Sequence, residues 1–262
     1  MRFAVSAIAL LACTSLASAA DLGGPSYGGS LKDDHAAPAA HSWTGLYIGA
    51  HGGWAGGDGW SGDFFWKNTP QNYGYSLDAE GWYGGIQAGA NHQLGSIVLG
   101  LEADVSWGDL SDSGIFQANN AGASSYAEWE INQELERFGT VRVRLGYLPS
   151  NNLLVYGTGG LAWGQTSTEY AVHYPKATPP QVRTTGGADE NHIGWTIGGG
   201  FEWAFTDRLS LKGEYLYLDL GKEDYHFVGE RTADHTYYAD DSAPSTLDFH
   251  TVRVGVNYKF GG

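Results

Sequence analysis

The sequence predicts an all-β fold, an eight-stranded antiparallel up-and-down transmembrane β-barrel, on three observations. Apolar and polar residues alternate in eight segments of about ten to fourteen residues, the length that a tilted strand needs to cross an outer membrane. The connections between these segments are short and long in turn. Glycine contributes 40 of the 262 residues and aromatic residues 14%, a composition that favours packed strands over helix bundles.

The N-terminal part has the pattern of a secretory signal. Arg2 is followed by an apolar run over residues 3–12, and small residues at positions 17–20 offer a cleavage site. We therefore expect a signal peptide at residues 1–20, a flexible periplasmic leader at residues 21–42 and the barrel at residues 43–262. Cys13 lies within the signal, and acylation there would leave too short a signal, so removal of the whole segment is favoured.

The last segment shows the alternation most clearly. Over residues 252–260 every even position is apolar and every odd position is polar or glycine. The same division appears at residues 97–107, 140–147, 193–205 and 209–217, and more weakly in the glycine-rich segments 43–54, 82–92 and 153–164. Beyond the signal, no run of eighteen apolar residues is present, so a helical membrane anchor is not expected.

The connections also follow a regular scheme. Turn-forming residues fill short connections at residues 94–96, 149–152 and 206–208, whereas long connections run over residues 55–81, 108–132, 165–191 and 221–246. In outer-membrane barrels the short turns and both termini face the periplasm, and the long loops face outward from the cell. We therefore expect four long extracellular loops.

The polar faces of the predicted strands carry charges of both signs. A cation facing lipid at mid-depth costs about 2–4 kcal/mol, so three outward arginines would cost as much as a typical native stability. We therefore expect a lumen charge network of Glu102, Asp104, Arg142, Arg144, Glu202, Lys212, Glu214, Arg253 and Lys259. Glu134 and Glu136 share the polar-face parity, whereas Arg137 has apolar-face parity and is expected to reach the interface.

Aromatic residues on the apolar faces cluster at the strand ends, as expected where rings meet lipid headgroups. These aromatic girdles comprise Trp54, Trp82, Trp107, Trp163 and Trp195 beside the long loops, and Tyr147, Trp203, Phe205, Tyr258 and Phe260 near the short turns. A soluble barrel such as a lipocalin would turn its apolar face inward. The girdles therefore favour the membrane barrel.

Signals for chemistry are weak. Residues 157–162, Gly-Thr-Gly-Gly-Leu-Ala, match a dinucleotide-binding pattern, but that fingerprint needs a following helix, and here the strand pattern continues. His226, His235 and His250 could bind haem or a metal, although solvated loop residues explain them more simply. No nucleophile and base pair stands out, and a net charge of −15 disfavours nucleic acid. We expect no enzymatic activity, no cofactor, no metal site and no nucleic-acid partner.

Two segments point to a family. Residues 43–49 are Trp-Thr-Gly-Leu-Tyr-Ile-Gly, and residues 252–260 are Val-Arg-Val-Gly-Val-Asn-Tyr-Lys-Phe. Together they resemble the alphaproteobacterial porin-family outer-membrane β-barrel proteins, which belong with the OmpA-like transmembrane domains. The resemblance implies an outer-membrane location, escort by periplasmic chaperones and insertion by the barrel-assembly machinery. It also implies that Tyr258 and Phe260 form the C-terminal assembly signal.

Two functions remain open at this point. The first is a structural barrel that contributes to envelope integrity and presents acidic extracellular loops, and the second is a narrow porin-like channel for small solutes. Side chains just fill the lumen of an eight-stranded barrel, so the structural role is favoured. Ordinary solvated loops explain acidic residues such as Asp112 and Glu130, and a sharper hypothesis is that divalent cations bridge these carboxylates to lipopolysaccharide phosphates. The expected partners are thus outer-membrane lipid and lipopolysaccharide.

Overall fold

The alternating segments form antiparallel strands in a computed structural model, which describes residues 41–65, 72–77, 80–119, 126–174, 181–230 and 237–260. The strands are β1 (Gly45–Phe65), β2 (Asn72–Leu77), β3 (Gly81–Leu94), β4 (Ile97–Asn119), β5 (Tyr126–Ser150), β6 (Leu153–Tyr174), β7 (Gln181–Ala204), β8 (Leu209–Glu230) and β9 (Tyr237–Phe260). The predicted signal peptide and residues 21–40 of the predicted leader lie outside the described residues. None of the described residues belongs to a helix that could span a membrane.

The sheet closes on itself through its first and last long strands. β1 pairs with β9, from Leu46 opposite Phe260 to Gly62 opposite Ser245. Eight strands form the wall, because β2 pairs with the far part of β1, beyond the level at which β3 begins. The predicted eight-stranded antiparallel barrel is therefore confirmed.

Three tight turns connect strands at one end of the barrel, where the sequence predicts them. Gly95 adopts a positive φ of 63° in the turn between β3 and β4, a conformation that glycine reaches without strain. Asn151 and Asn152 form the turn between β5 and β6, and residues 205–208 connect β7 to β8. Backbone bonds from Leu148 N to Ser96 O and from Ala204 N to Asn152 O, both 2.9 Å, tie neighbouring turns together.

The strands are longer than predicted. β5 has 25 residues and β9 has 24, whereas about 9–11 residues suffice to cross the membrane. Much of each segment predicted as a long loop therefore continues as paired strand beyond the membrane. β8 and β9 remain paired as far as Glu230 opposite Tyr237. The added strand β2 lies in the first long connection, where the sequence predicted only a loop.

Candidate functional site in the barrel lumen

Four cations and four anions meet at mid-height in the lumen, and all eight side chains are buried. They are Arg142, Arg144, Lys212, Arg253, Glu102, Asp104, Glu202 and Glu214, and we call them the lumen charge cluster. The strand register sets opposite charges side by side: Glu102 lies opposite Arg142, Glu202 opposite Lys212, and Glu214 opposite Arg253. Opposite charges in cross-strand pairs on one face stabilise a sheet.

Glu102 contacts all four cations of the lumen charge cluster. It forms an ion pair with Arg142, and its Oε1 lies 2.6 Å from Lys212 Nζ. Arg144 Nη1 and Arg253 Nη2 lie 3.3 Å and 3.5 Å from its carboxylate. Tyr47 donates a hydrogen bond of 2.7 Å to Glu102 Oε2 and accepts one of 2.7 Å from Arg144. This carboxylate therefore connects strands on opposite sides of the lumen.

Glu214 and Asp104 complete the half of the cluster that lies toward the long connections. Glu214 accepts hydrogen bonds from Arg253 Nε at 2.6 Å and from Tyr156 Oη at 2.8 Å. Arg142 Nη1 also lies 3.1 Å from Glu214 Oε1. Asp104 Oδ2 accepts a bond of 2.5 Å from Thr140 and lies 3.1 Å from Arg142 Nη2. Each buried charge thus has the paired, hydrogen-bonded surroundings that make burial tolerable.

Arg144 extends the cluster toward the short-turn end of the barrel. Its Nη2 donates to Glu202 Oε2 at 2.8 Å, and its guanidinium lies 4.0 Å from the ring centroid of Tyr156. Glu202 also accepts bonds of 2.5 Å from Ser210 and 2.7 Å from Asn257. Planar stacking and forked hydrogen bonding are the properties that distinguish arginine from lysine at such a position.

Three residues with polar-face parity fall outside the lumen charge cluster. Lys259 lies at the mouth of the barrel, where its ammonium donates to the carbonyl of Ser42. The prediction for Glu134 and Glu136 is wrong, since both are exposed on the outer face. The pairing of β5 with β6 shifts register between Leu135 and Arg137, which reverses the alternation beyond that point. Leu135 therefore points inward instead.

Arg137 is exposed, and its Nη2 lies 3.6 Å from Glu136 Oε2. Exposed pairs of this kind contribute about 0–1 kcal/mol.

His51 also lies in the polar interior, and its one signal in the sequence is a parity opposite to that of outward-facing Trp54. Its ring nitrogens lie 2.9 Å from Gln87 Oε1 and 2.9 Å from Ser106 Oγ. Arg253 Nη1 approaches His51 Nε2 to 3.5 Å. β1 is rich in glycine, so its alternation is too weak to mark His51 as an inward-facing residue.

A layer of apolar side chains fills the lumen above the lumen charge cluster, on the side of the long connections. This upper apolar layer comprises Ala55, Tyr83, Leu110, Ile131, Leu135, Phe138, Ala162, Leu216, Leu218, Leu220, Leu247 and Phe249. The ring of Phe138 lies 5.1 Å from that of Tyr83 and 5.4 Å from that of Phe249, both edge to face. Sequence reasoning missed this layer, although Phe138 and Leu216 share the parity of the charges below them.

The chain before β1 closes the opposite end. Trp43 is buried there with Val98, Leu148, Leu154, Tyr156 and Ala204. Its backbone N donates to Gln93 Oε1 at 2.9 Å, and its indole Nε1 donates to the carbonyl of Asn151 at 3.1 Å. Trp43 thus bridges two different turns across the mouth.

His41 lies beside Trp43, with ring centroids 4.9 Å apart. Burial and the neighbouring Lys259 ammonium lower the pKa of the His41 imidazole. A cavity of about 20 Å³ remains beside these residues, which is room for one water molecule.

The residues of the predicted aromatic girdles lie on the outer face. Among them Trp82 is 77% exposed and Trp163, the least exposed, 37%. Trp54 lies directly opposite Trp82 at the level where β3 begins. Near the turns, the rings of Tyr258 and Phe260 lie 5.2 Å apart and those of Trp203 and Phe205 6.1 Å apart.

The dinucleotide-like glycine motif has an ordinary explanation. Residues 157–162 lie within β6, so no helix follows the glycines. A Cβ on Gly160 would clash with the carbonyl oxygen of Val141, so glycine permits close approach of two strands. His250 accompanies Tyr215 on the outer face, His235 lies outside the described residues, and His226 lies in β8.

Comparison with known proteins is consistent with this architecture. The family described as "Outer membrane protein beta-barrel domain" matches residues 5–260. The "31 kDa outer-membrane immunogenic protein" of Brucella melitensis is 41% identical over 224 residues, which cover 84% of each chain.

Two solved structures share the fold. The outer membrane protease OmpT from Escherichia coli has a TM-score of 0.53 at 10% identity, covering 82% of this chain and 97% of its own. The outer membrane protein OprG from Pseudomonas aeruginosa has a TM-score of 0.51 at 13% identity, covering 84% and 97%. The match along nearly the whole chain, the similarity to the Brucella protein and the closed barrel lead to one conclusion: this chain belongs to the outer membrane protein β-barrel domain family, and its location is the outer membrane.

Proposed function

We propose that the protein is a non-conducting structural barrel that contributes to envelope integrity, presents an acidic surface outside the cell and has no enzymatic activity. The observation that supports this proposal is the filled lumen. The lumen charge cluster spans the barrel at mid-height, with Arg142 and Lys212 both 0% exposed. The upper apolar layer lies on one side of the cluster, and Trp43 with its neighbours lies on the other.

A permeating ion would have to cross three barriers in series. It would displace Trp43 at the mouth, separate ion pairs that have little access to water, and then enter the upper apolar layer without its hydration shell. Moving a charge into an apolar region without partners costs several kcal/mol or more. An eight-stranded barrel has little spare internal width with which to avoid these barriers.

A narrow passive channel is the second candidate. Among the described buried side chains, Asn91 Oδ1, Asp104 Oδ1 and Arg144 Nε have no hydrogen-bond partner. Buried polar atoms of this kind are usually satisfied by ordered water. A file of such waters beside the lumen charge cluster would be the beginning of a conducting path.

Single-channel conductance in a planar bilayer separates the two candidates. We expect the refolded protein to give no stable steps, and we expect the same of the double variant Arg142→Ala with Arg144→Ala, because the upper apolar layer remains in place. The matched control is Arg137→Ala with Arg208→Ala, which removes two exposed arginines outside the lumen charge cluster. Stable steps in the wild type that grow in the first variant, but not in the control, would establish the channel instead.

The acidic outer surface supports the surface part of the proposal. Glu134, Glu136 and Glu169 are exposed on neighbouring strands beyond the level of Trp107 and Trp163. Asn132 lies opposite Glu169 and Glu134 opposite Ser167, so the carboxylates share one face. Such a face lies where phosphates of lipopolysaccharide would be, and divalent cations can bridge the two sets of anionic oxygens.

Chelation tests this bridging. We expect lipopolysaccharide that co-purifies with the protein to be released by a chelator and to rebind when Mg²⁺ or Ca²⁺ is restored. The triple variant Glu134→Gln, Glu136→Gln and Glu169→Gln should retain less lipopolysaccharide before chelation. An association that is indifferent to the chelator would exclude cation bridging.

A further inference from the structure

The pairing between β7 and β8 ends before either strand does. Within the described residues, the pairing of these strands runs from Ala204 opposite Ser210 to Trp195 opposite Asp219 and stops there. β7 nevertheless begins at Gln181 and β8 continues to Glu230. β8 is redirected at Gly221, which has a positive φ of 80° at a register shift against β9. The backbone pairing between β7 and β8 therefore ends at the level of Trp195.

Three aromatic rings lie together on the outer face where this pairing ends. The ring of Tyr217 lies 5.5 Å from that of Trp195 and 5.0 Å from that of His250. Tyr217 is opposite His250 in the register of β8 and β9. Tyr215 Oη lies 2.6 Å from His250 Nδ1, which fixes the orientation of the imidazole. The rings therefore form an ordered surface rather than scattered exposed side chains.

Two carboxylates adjoin these rings. Asp219 lies opposite Trp195 on one side and opposite Asp248 on the other. Asp219 Oδ1 accepts a hydrogen bond of 2.8 Å from the backbone N of Gly221, and Tyr217 Oη lies 3.3 Å from Asp248 Oδ2. Like charges opposite one another on a sheet are destabilising. Hydrogen-bond donors placed between the two carboxylates would relieve that repulsion.

Aromatic faces beside carboxylate acceptors recognise sugars. The C–H face of a pyranose packs on aromatic rings, and its hydroxyl groups donate to ionised carboxylates, which form stronger hydrogen bonds than neutral acceptors do. Two adjacent carboxylates repel phosphate, so they favour the sugar of a glycolipid headgroup over its phosphates.

We propose that Trp195, Tyr217, Asp219, Asp248 and His250 form a binding site for the saccharide of an outer-leaflet glycolipid, and we call these residues the saccharide platform. The proposal rests on the proposed function in one respect, which is that the long connections lie outside the cell. The platform then faces the outer leaflet at the level where a glycolipid headgroup projects from the membrane.

The test uses a lipid-free probe, so that anchoring in the bilayer does not contribute. The oligosaccharide released from lipopolysaccharide by mild acid is titrated by calorimetry into the full-length protein in phospholipid nanodiscs, with a chelator present throughout. We expect saturable binding that weakens at least about tenfold in Trp195→Ala, and also weakens in Asp219→Asn with Asp248→Asn, since charge-assisted hydrogen bonds are lost. Asparagine can still accept the hydrogen bond from Gly221.

Trp163→Ala is the matched control, because Trp163 is also an outward tryptophan at the same end of a strand but lies outside the saccharide platform. It should bind the oligosaccharide like the wild type. Absence of saturable binding, or equal weakening in Trp163→Ala and Trp195→Ala, would overturn the proposal. The chelator removes any cation bridging, and conductance is measured separately, so failure of the proposed function and failure of the saccharide platform give different results.

Discussion

Replacement of Glu102 by glutamine is expected to lower the free energy of unfolding by about 3–5 kcal/mol, the usual cost of removing one member of a buried ion pair. Glu102 contacts Arg142, Arg144, Lys212 and Arg253, and its side chain is fully buried. Glutamine keeps the size of the side chain but removes the charge. The lumen charge cluster would change from four cations with four anions to four cations with three, without access to water.

Urea unfolding of the protein in lipid vesicles, followed by circular dichroism, measures this loss. Glu136→Gln is the matched control, because Glu136 is 44% exposed and pairs with Arg137 at the surface, where the expected change is about 0–1 kcal/mol. Adding Lys212→Met to Glu102→Gln restores the balance of charge and should recover part of the loss. Equal costs for Glu102→Gln and Glu136→Gln would mean that the lumen charge cluster does not stabilise the barrel.

Most of what the sequence could predict about the lumen came from the odd or even positions of the charged residues along each strand. Successive side chains of a strand point to opposite faces. Placing three arginines inward therefore turns the apolar faces of the strands toward lipid, and Glu102, Glu202 and Lys212, which lie opposite those apolar faces, must point into the lumen. The register then brings residues such as Glu102 and Arg142 side by side. Their sequence separation of 40 residues made this contact invisible to any local pattern.

Bulges and uniformly apolar stretches prevented a correct prediction of which way the other side chains face. Glu134 and Glu136 were placed on the wrong face because the register shift at Leu135 and Arg137 has no distinctive local sequence. Along β8, Leu216 lies between Tyr215 and Tyr217, so neither face is marked as inward at that point. The upper apolar layer can be predicted only if the alternation that places Lys212 and Glu214 inward is assumed to continue along β8 toward the long connections.

Trp43 was assigned to the first strand, and nothing in its neighbourhood indicated that it crosses the mouth of the barrel. Its partners Gln93 and Asn151 lie 50 and 108 residues away along the chain. Contacts of this kind depend on where the turns meet in three dimensions. The three short turns could be predicted individually, but their arrangement around one tryptophan could not.

Trp43→Ala is expected to cost about 3–5 kcal/mol of unfolding free energy, the range for a large aromatic side chain removed from a packed site. Trp43 is 3% exposed and belongs to a buried cluster with apolar residues of four strands, β4 to β7. Its loss would leave a cavity at the mouth and would leave the carbonyl of Asn151 without the indole donor. Urea unfolding in lipid vesicles, followed by circular dichroism, again provides the measurement.

Trp43→Phe separates packing from hydrogen bonding at this site. Phenylalanine fills most of the space but lacks the indole N–H, so a smaller loss of about 1–2 kcal/mol is expected from the unmet carbonyl and the reduced contact. If Trp43→Ala costs less than about 1 kcal/mol, far below the range for such a site, the indole merely rests at the mouth. A full loss in Trp43→Ala with a partial loss in Trp43→Phe would instead show that Trp43, although it precedes β1, is an integral part of the barrel core. The lumen would then be held closed from the short-turn end by packing and from the middle by charge, two independent contributions that a permeating ion would have to overcome together.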